Sequence, residues 1–115
     1  MDSAPKFRAS HLLVKHKGSR RPASWKEDPI TRSKEDAITK LKAFRERIVN
    51  KEVDFATLAK AESDCGSHEK GGDLGWFEEG QMQKPFEDAV KSLAVGELSG
   101  VVDTDSGVHI ILRTG

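Results

Sequence analysis

The spacing of apolar residues along this 115-residue chain changes character repeatedly, and each change marks an element. Phe7 to Val14 (FRASHLLV) ends in a dense apolar run, which predicts a strand covered on both faces at its far end, with His11 in its middle. From Lys15 to Arg32 no period survives, and Gly18, Pro22 and Pro29 interrupt the chain, so a long loop is expected. Long loops in small domains are usually functional. Ser33 followed by Asp36 resembles a capping box with a short acid in place of Glu or Gln, and Ala37, Leu41, Phe44 and Ile48 then fall on one helical stripe running to about Asn50. Asp54 caps a second helix, buried through Phe55, Leu58 and Ala59 and ending near Asp64. Cys65 to Asp73 (CGSHEKGGD) is turn-forming, and Leu74-Gly75-Trp76-Phe77 predicts a short strand beyond it. Pro85 opens a third helix that buries Phe86, Ala89, Val90 and Leu93 and stops at Gly96. Val101-Val102-Asp103 and Val108 to Arg113 form a hairpin around Thr104-Asp105-Ser106-Gly107. This order predicts an α+β domain with a small, largely antiparallel sheet.

Composition narrows the picture. Hydrophobic residues at 36% are enough for one core, and the length gives one domain, expected over residues 7–115 behind a flexible tail at 1–6. No apolar run approaches the roughly 20 residues of a membrane span. The segment Met1 to Lys6 lacks the apolar stretch of a signal peptide, so the cytoplasm and nucleus are the expected compartments. A single cysteine, Cys65, excludes an internal disulfide and a multi-cysteine zinc site, and no cofactor or metal is expected. With 19 basic and 19 acidic residues the chain lacks the overall field of a general nucleic-acid binder. The charge is nevertheless uneven: Lys15, Lys17, Arg20, Arg21 and Lys26 fall in one acid-free stretch, and the rest of the chain sets fourteen basic residues against nineteen acidic ones.

That stretch is the first candidate for chemistry. The guanidinium groups of Arg20 and Arg21 can pair their N–H donors with a phosphate, and the ammonium of Lys15 adds a point charge, so together they could hold a dianion. A solvated basic loop and a contact with nucleic-acid backbone are the alternatives. His11 and His109 each sit in the most apolar strand at their end of the chain, where a polar ring needs a partner. Each alone reads as structural. If their strands are neighbours, the rings can join in one network, with hydroxyls from Thr104 and Ser106. Cys65 is either a thiol nucleophile activated by histidine or a small inert residue. A cysteine phosphatase is excluded, since those enzymes place Arg six residues after the cysteine and Gly71 stands there. A cysteine protease is not excluded by spacing. Leu74, Met82 and Phe86 could line a compact apolar pocket or belong to the plain core, and Gln83 beside them could offer an amide to a peptide backbone.

Several blocks together resemble one family: HLLVKH at 11–16, SRRPASW at 19–25, SDCGS at 63–67, GGDLGWF at 71–77, GQMQKPFEDA at 80–89 and TDSGVHIILRT at 104–114. They are similar to the catalytic domain of parvulin-type peptidyl-prolyl cis/trans isomerases, in the subgroup selective for phosphorylated Ser/Thr-Pro bonds. The resemblance implies a four-stranded antiparallel sheet wrapped by four helices, which fits the order above if Gly80 to Gln83 is a short helix. It implies that Lys15, Arg20 and Arg21 in the loop at 15–32 bind phosphate, and that Leu74, Met82 and Phe86 hold the proline ring. It further implies that Gln83 touches the substrate backbone, and that His11, Cys65, Thr104, Ser106 and His109 form the polar catalytic network. The implied partners are phosphorylated Ser/Thr-Pro proteins in folding and signalling, met by a monomer. With only six residues before the first strand, the chain resembles the single-domain form known in plants, without the WW domain of animal and yeast members. It departs from the family at Ala23, where relatives carry a phosphorylatable serine, at Gly66 after the cysteine, and at the bulky Trp76. A phosphopeptide-binding module without turnover would need the clamp but not His11, Cys65, Ser106 and His109.

Overall fold

The computed structural model describes residues 6–115, and its centre is a four-stranded antiparallel sheet. The two most apolar strands, β1 (Lys6–Val14) and β4 (Gly107–Arg113), lie side by side in its middle, with register running from Ala9 opposite Arg113 to Val14 opposite Val108. The short strands take the edges. β2 (Asp73–Glu78) pairs with β1, and β3 (Val102–Thr104) pairs with β4, giving the order β2-β1-β4-β3.

Strand alternation sends two apolar sets to opposite faces. Leu12, Val14, Val108 and Ile110 meet Leu41 and Phe44 of α1 (Lys34–Val49) and Phe55 and Leu58 of α2 (Phe55–Glu62). Phe7, Ala9 and Ile111 meet Phe86 and Val90 of α3 (Lys84–Ser92), with Phe77 of β2. His11 and His109 share the alternation of Ala9 and Ile111, so both rings project on the α3 side. The histidines of two strands almost a hundred residues apart thus become neighbours.

Local chemistry starts and stops the helices where the sequence implies. The Ser33 hydroxyl accepts from the Asp36 N–H at 3.1 Å and Asp54 accepts from the Thr57 N–H at 2.7 Å, each satisfying a free donor of a first turn. These bonds to Thr57 hold the Asp54 carboxyl below its ordinary range. Pro85 sits in the first turn of α3, where its missing N–H costs nothing. That helix ends at Ser92, before the expected stop at Gly96, which lies in the following turn with φ +91°.

Three further expectations are corrected. Lys6 is already in β1, opposite Glu78, so the domain begins one residue earlier; the rest of the expected tail, residues 1–5, lies outside the described residues. Among the described residues the helices are three α-helices and a short 3-10 helix at Gly66–Lys70, while Gly80 to Gln83 is a bend. Gly80 has φ +86°, its N–H donates to Glu87 at 2.6 Å, and Glu78 and Gln81 close the turn on each other, which leaves no helical hydrogen-bond ladder there. The segment Cys65–Asp73 is the one that winds, capped at its end by Gly71 with φ +66°. The next residue, Gly72, also has positive φ, +87°, and its carbonyl accepts from the His11 N–H at 2.9 Å. A side chain at Gly72 would collide with the His11 carbonyl, so only glycine lets this turn press against β1.

Candidate active site

A continuous chain of hydrogen bonds crosses the α3 face of the sheet. Thr104 Oγ1 lies 2.7 Å from His109 Nε2, His109 Nδ1 lies 2.9 Å from His11 Nδ1, and His11 Nε2 lies 3.2 Å from Ser67 Oγ. The buried Thr104 fixes the direction. Its oxygen accepts from the Ser106 N–H at 3.2 Å, and for its own hydroxyl hydrogen the acceptor within reach among the described residues is His109 Nε2. His109 then carries its hydrogen on Nδ1 and donates to His11, and His11 carries its own on Nε2 and donates to Ser67. Both rings are therefore neutral, each with one donor and one acceptor nitrogen in use.

Burial keeps them so. The His11 pKa is pushed down to about 4 by desolvation, and that of His109 to about 3 by desolvation and by the neighbouring His11. A further proton on either ring would also set two hydrogens against each other along the chain. Phe86 presses edge-on against both rings, with centroids 5.5 Å from His11 and 5.3 Å from His109, and seals them from water on that side. A neutral, fixed pair of this kind offers hydrogen bonds and shape, not proton transfer, at neutral pH.

The loop at 15–32 is irregular but tightly tied. Its organiser is Asp64, just after α2, whose side chain is 1% exposed. The carboxylate accepts from the Lys15 N–H at 2.9 Å and the Ser24 hydroxyl at 2.9 Å, with Arg32 at 3.4 Å and Lys26 at 3.9 Å. A buried carboxylate is tolerable only with such partners, so the loop and Asp64 stabilise each other. Asp64 was not among the residues singled out by sequence; its signal is the DC pair, which places an acid directly before Cys65, but its partners lie some forty residues away. Arg20 is anchored through its backbone N–H to the Asp105 carbonyl at 2.8 Å, which brings the loop against the β3–β4 turn. Arg20 and Arg21 are exposed and have no carboxylate partner among the described residues. The Lys15 ammonium donates to the Ala23 carbonyl at 2.8 Å and has no carboxylate partner among the described residues.

These parts converge. Lys15, Arg20 and Arg21 line one cleft of about 320 Å³ with Leu13, Cys65 and Ser106 and with one carboxylate, that of Asp64. The thiol of Cys65 is half-buried and has no hydrogen-bond partner among the described residues, so the polar chain expected to include it runs through Ser67 instead. Ser67 was also missed by sequence. Ser106 joins through Gln83, whose Nε2 donates to Ser106 Oγ at 2.8 Å while its Oε1 accepts from the Asp105 N–H at 3.2 Å. Leu74 and Met82 are half-buried in the same apolar cluster as Phe86, so the three side chains expected to form a slot are together, beside the histidine pair. Of the residues implied by the resemblance, His11, His109 and Thr104 lie on the polar chain, Gln83 is bonded to Ser106, Lys15, Arg20, Arg21, Cys65 and Ser106 line the cleft, and Leu74, Met82 and Phe86 belong to one apolar cluster.

Known proteins match this chain in sequence and in fold. The family model described as "Rotamase: PPIC-type PPIASE domain" covers residues 11–115. The chain is 52% identical to the peptidyl-prolyl cis-trans isomerase Pin1 of Arabidopsis thaliana over 118 aligned positions, spanning 99% of both chains. It is 58% identical to the isomerase pin1 of Rhizopus delemar over 109 residues, 95% of this chain and 73% of that one. Among solved structures, the peptidyl-prolyl isomerase ESS1 from Candida albicans superposes with a TM-score of 0.94 at 53% identity, covering 96% of this chain and 63% of that one. The family model spans nearly the whole chain, and the chain belongs to the PPIC-type peptidyl-prolyl cis/trans isomerases, the parvulins.

Proposed function

We propose that this isomerase acts on prolyl bonds preceded by phosphoserine or phosphothreonine, and that it does so without covalent chemistry. The observation that carries the reading is the cleft in which Lys15, Arg20 and Arg21 stand with Cys65 and Ser106. A phosphate brings about −1.5 to −2 charge at pH 7, and three cations in a small cleft, against the single carboxylate of Asp64 that is already bonded to the Lys15 N–H, Ser24 and Arg32, form a complementary site. The proline ring following that phosphate would enter the slot of Leu74, Met82 and Phe86.

Rotation about the X-Pro bond must give up amide resonance, with a barrier of about 18–20 kcal/mol, and breaks no covalent bond. No nucleophile is needed. Phosphate on one side and the ring on the other hold the two ends of the bond, so the enzyme can favour the twisted amide over either planar form. Gln83 and Ser106, linked to each other, would hydrogen-bond the substrate backbone, and Thr104 ties Ser106 to the neutral histidine pair. About 5.5 kcal/mol of such differential stabilisation gives a ten-thousand-fold acceleration. In this reading Cys65 is a wall of the site. Its partners are phosphorylated Ser/Thr-Pro proteins of the cytoplasm and nucleus, and the monomer suffices because every group invoked comes from one chain.

The test is the double substitution Arg20→Ala with Arg21→Ala. It should lower kcat/KM for a phosphoserine-proline peptide far more than for an alanine-proline peptide. Equal losses on the two substrates would refute the phosphate clamp.

A further inference from the structure

Trp25 lies in the cationic loop and is 52% exposed, yet its ring is held on two sides. Its Nε1–H donates to the Ser63 carbonyl at 2.7 Å. Its face lies flat on the imidazole of His68, with centroids 3.9 Å apart and planes 7° from parallel. His68 is fixed in turn, because its Nδ1 donates to the Lys60 carbonyl at 2.9 Å. Beside the stack, the Lys26 ammonium donates to the Glu62 carbonyl at 2.8 Å.

The two ends of this strut belong to different parts of the site. Trp25 stands in the loop that carries Arg20 and Arg21. The other end is the turn from α2 into the 3-10 helix: Ser63 is two residues before Cys65, and His68 directly follows Ser67, which holds His11. An exposed tryptophan fixed in this way does not serve the core, which closes without it. What it fixes is the separation between the cations and the wall that carries Cys65 and Ser67.

We propose that the Trp25–His68 stack is a positioning pair that holds the phosphate-binding loop at its working distance from the prolyl-bond site. Trp25 lines a small cleft with Lys15 and Arg21, whereas His68 stands outside it, so His68 acts through Trp25. The proposal rests on the phosphate reading above. Aromatic pairs contribute about 0.5–1.5 kcal/mol beyond area burial, which converts to roughly a 2- to 10-fold change in an equilibrium or rate constant.

The experiment measures kcat and KM of wild type, His68→Ala and His68→Phe on a phosphoserine-proline and an alanine-proline peptide, with amide hydrogen exchange at Arg20. In His68→Ala, KM for the phosphopeptide should rise roughly 2- to 10-fold, the alanine-proline reaction should be unchanged, and the Arg20 amide, bonded to the Asp105 carbonyl, should exchange faster. His68→Phe, which keeps a flat ring under Trp25, should restore KM. Wild-type preference for phosphate with an unchanged KM in His68→Ala would overturn the positioning role alone, as would an equal change on both peptides. A wild-type enzyme indifferent to phosphate would overturn the phosphate reading and this proposal with it.

Discussion

The histidine pair makes stability depend on pH in a window where few carboxylates titrate. In the folded protein His11 and His109 hold their protons off until about pH 4 and about pH 3, whereas in the unfolded chain both titrate near the ordinary 6.5. Between these limits the unfolded chain binds more protons than the native one, so stability falls as the pH drops from 6.5 and is fully present above it. From the unfolded value of 6.5 down to pH 5 is about 1.5 units at about 1.4 kcal/mol each, or roughly 2 kcal/mol per ring. That figure needs only that both native values lie below 5. Urea unfolding at a series of pH values from 7.5 to 5 reads it directly as a shift in midpoint. The variant His11→Gln with His109→Gln, whatever its own stability, should lose most of this slope. A wild-type stability that stays flat over the window, or a slope unchanged in the double variant, would refute the assignment of a neutral buried pair.

Two other consequences follow from single residues. Cys65→Asp should keep kcat/KM within about tenfold of wild type, because a carboxylate can line the cleft but cannot replace a thiolate attack; about 1.4 kcal/mol is the corresponding change. Complete loss of activity with an intact fold, seen by circular dichroism, would restore the nucleophile. Gly72→Ala should cost more than about 2 kcal/mol in urea unfolding, since it combines a left-handed φ with a collision at the His11 carbonyl. It should also lower activity through the displaced His11; a silent substitution would mean that this turn does not brace β1.

Much of this was legible in the chain because it depends on short-range chemistry. Ser33 and Asp54 cap the helices they precede, and the apolar runs of β1 and β4 announce the two buried strands. The site residues were legible for a different reason: they lie in motifs that resemble a family, and neither period nor spacing could have paired His11 with His109. What stayed hidden depends on contacts distant in sequence. Asp64 holds Lys15, Ser24 and Arg32, which no local pattern reveals, and Ser67 is recognisable as a partner only once the turn after Cys65 winds into a 3-10 helix. That winding was missed because five residues, GSHEK, show no apolar period. The expected helix at Gly80 to Gln83 does not form because Gly80 takes a left-handed φ of +86° and Glu78 and Gln81 close a tight turn on each other instead.

The most direct test of phosphate-directed prolyl isomerisation is NMR exchange spectroscopy on two peptides that differ only by phosphate, serine-proline and phosphoserine-proline, with a catalytic amount of protein. Faster cis/trans exchange in the phosphorylated peptide, with little change in the other, is the predicted result. Equal acceleration of both would contradict the role given to Lys15, Arg20 and Arg21, and binding of the phosphopeptide without acceleration would contradict the catalytic account itself.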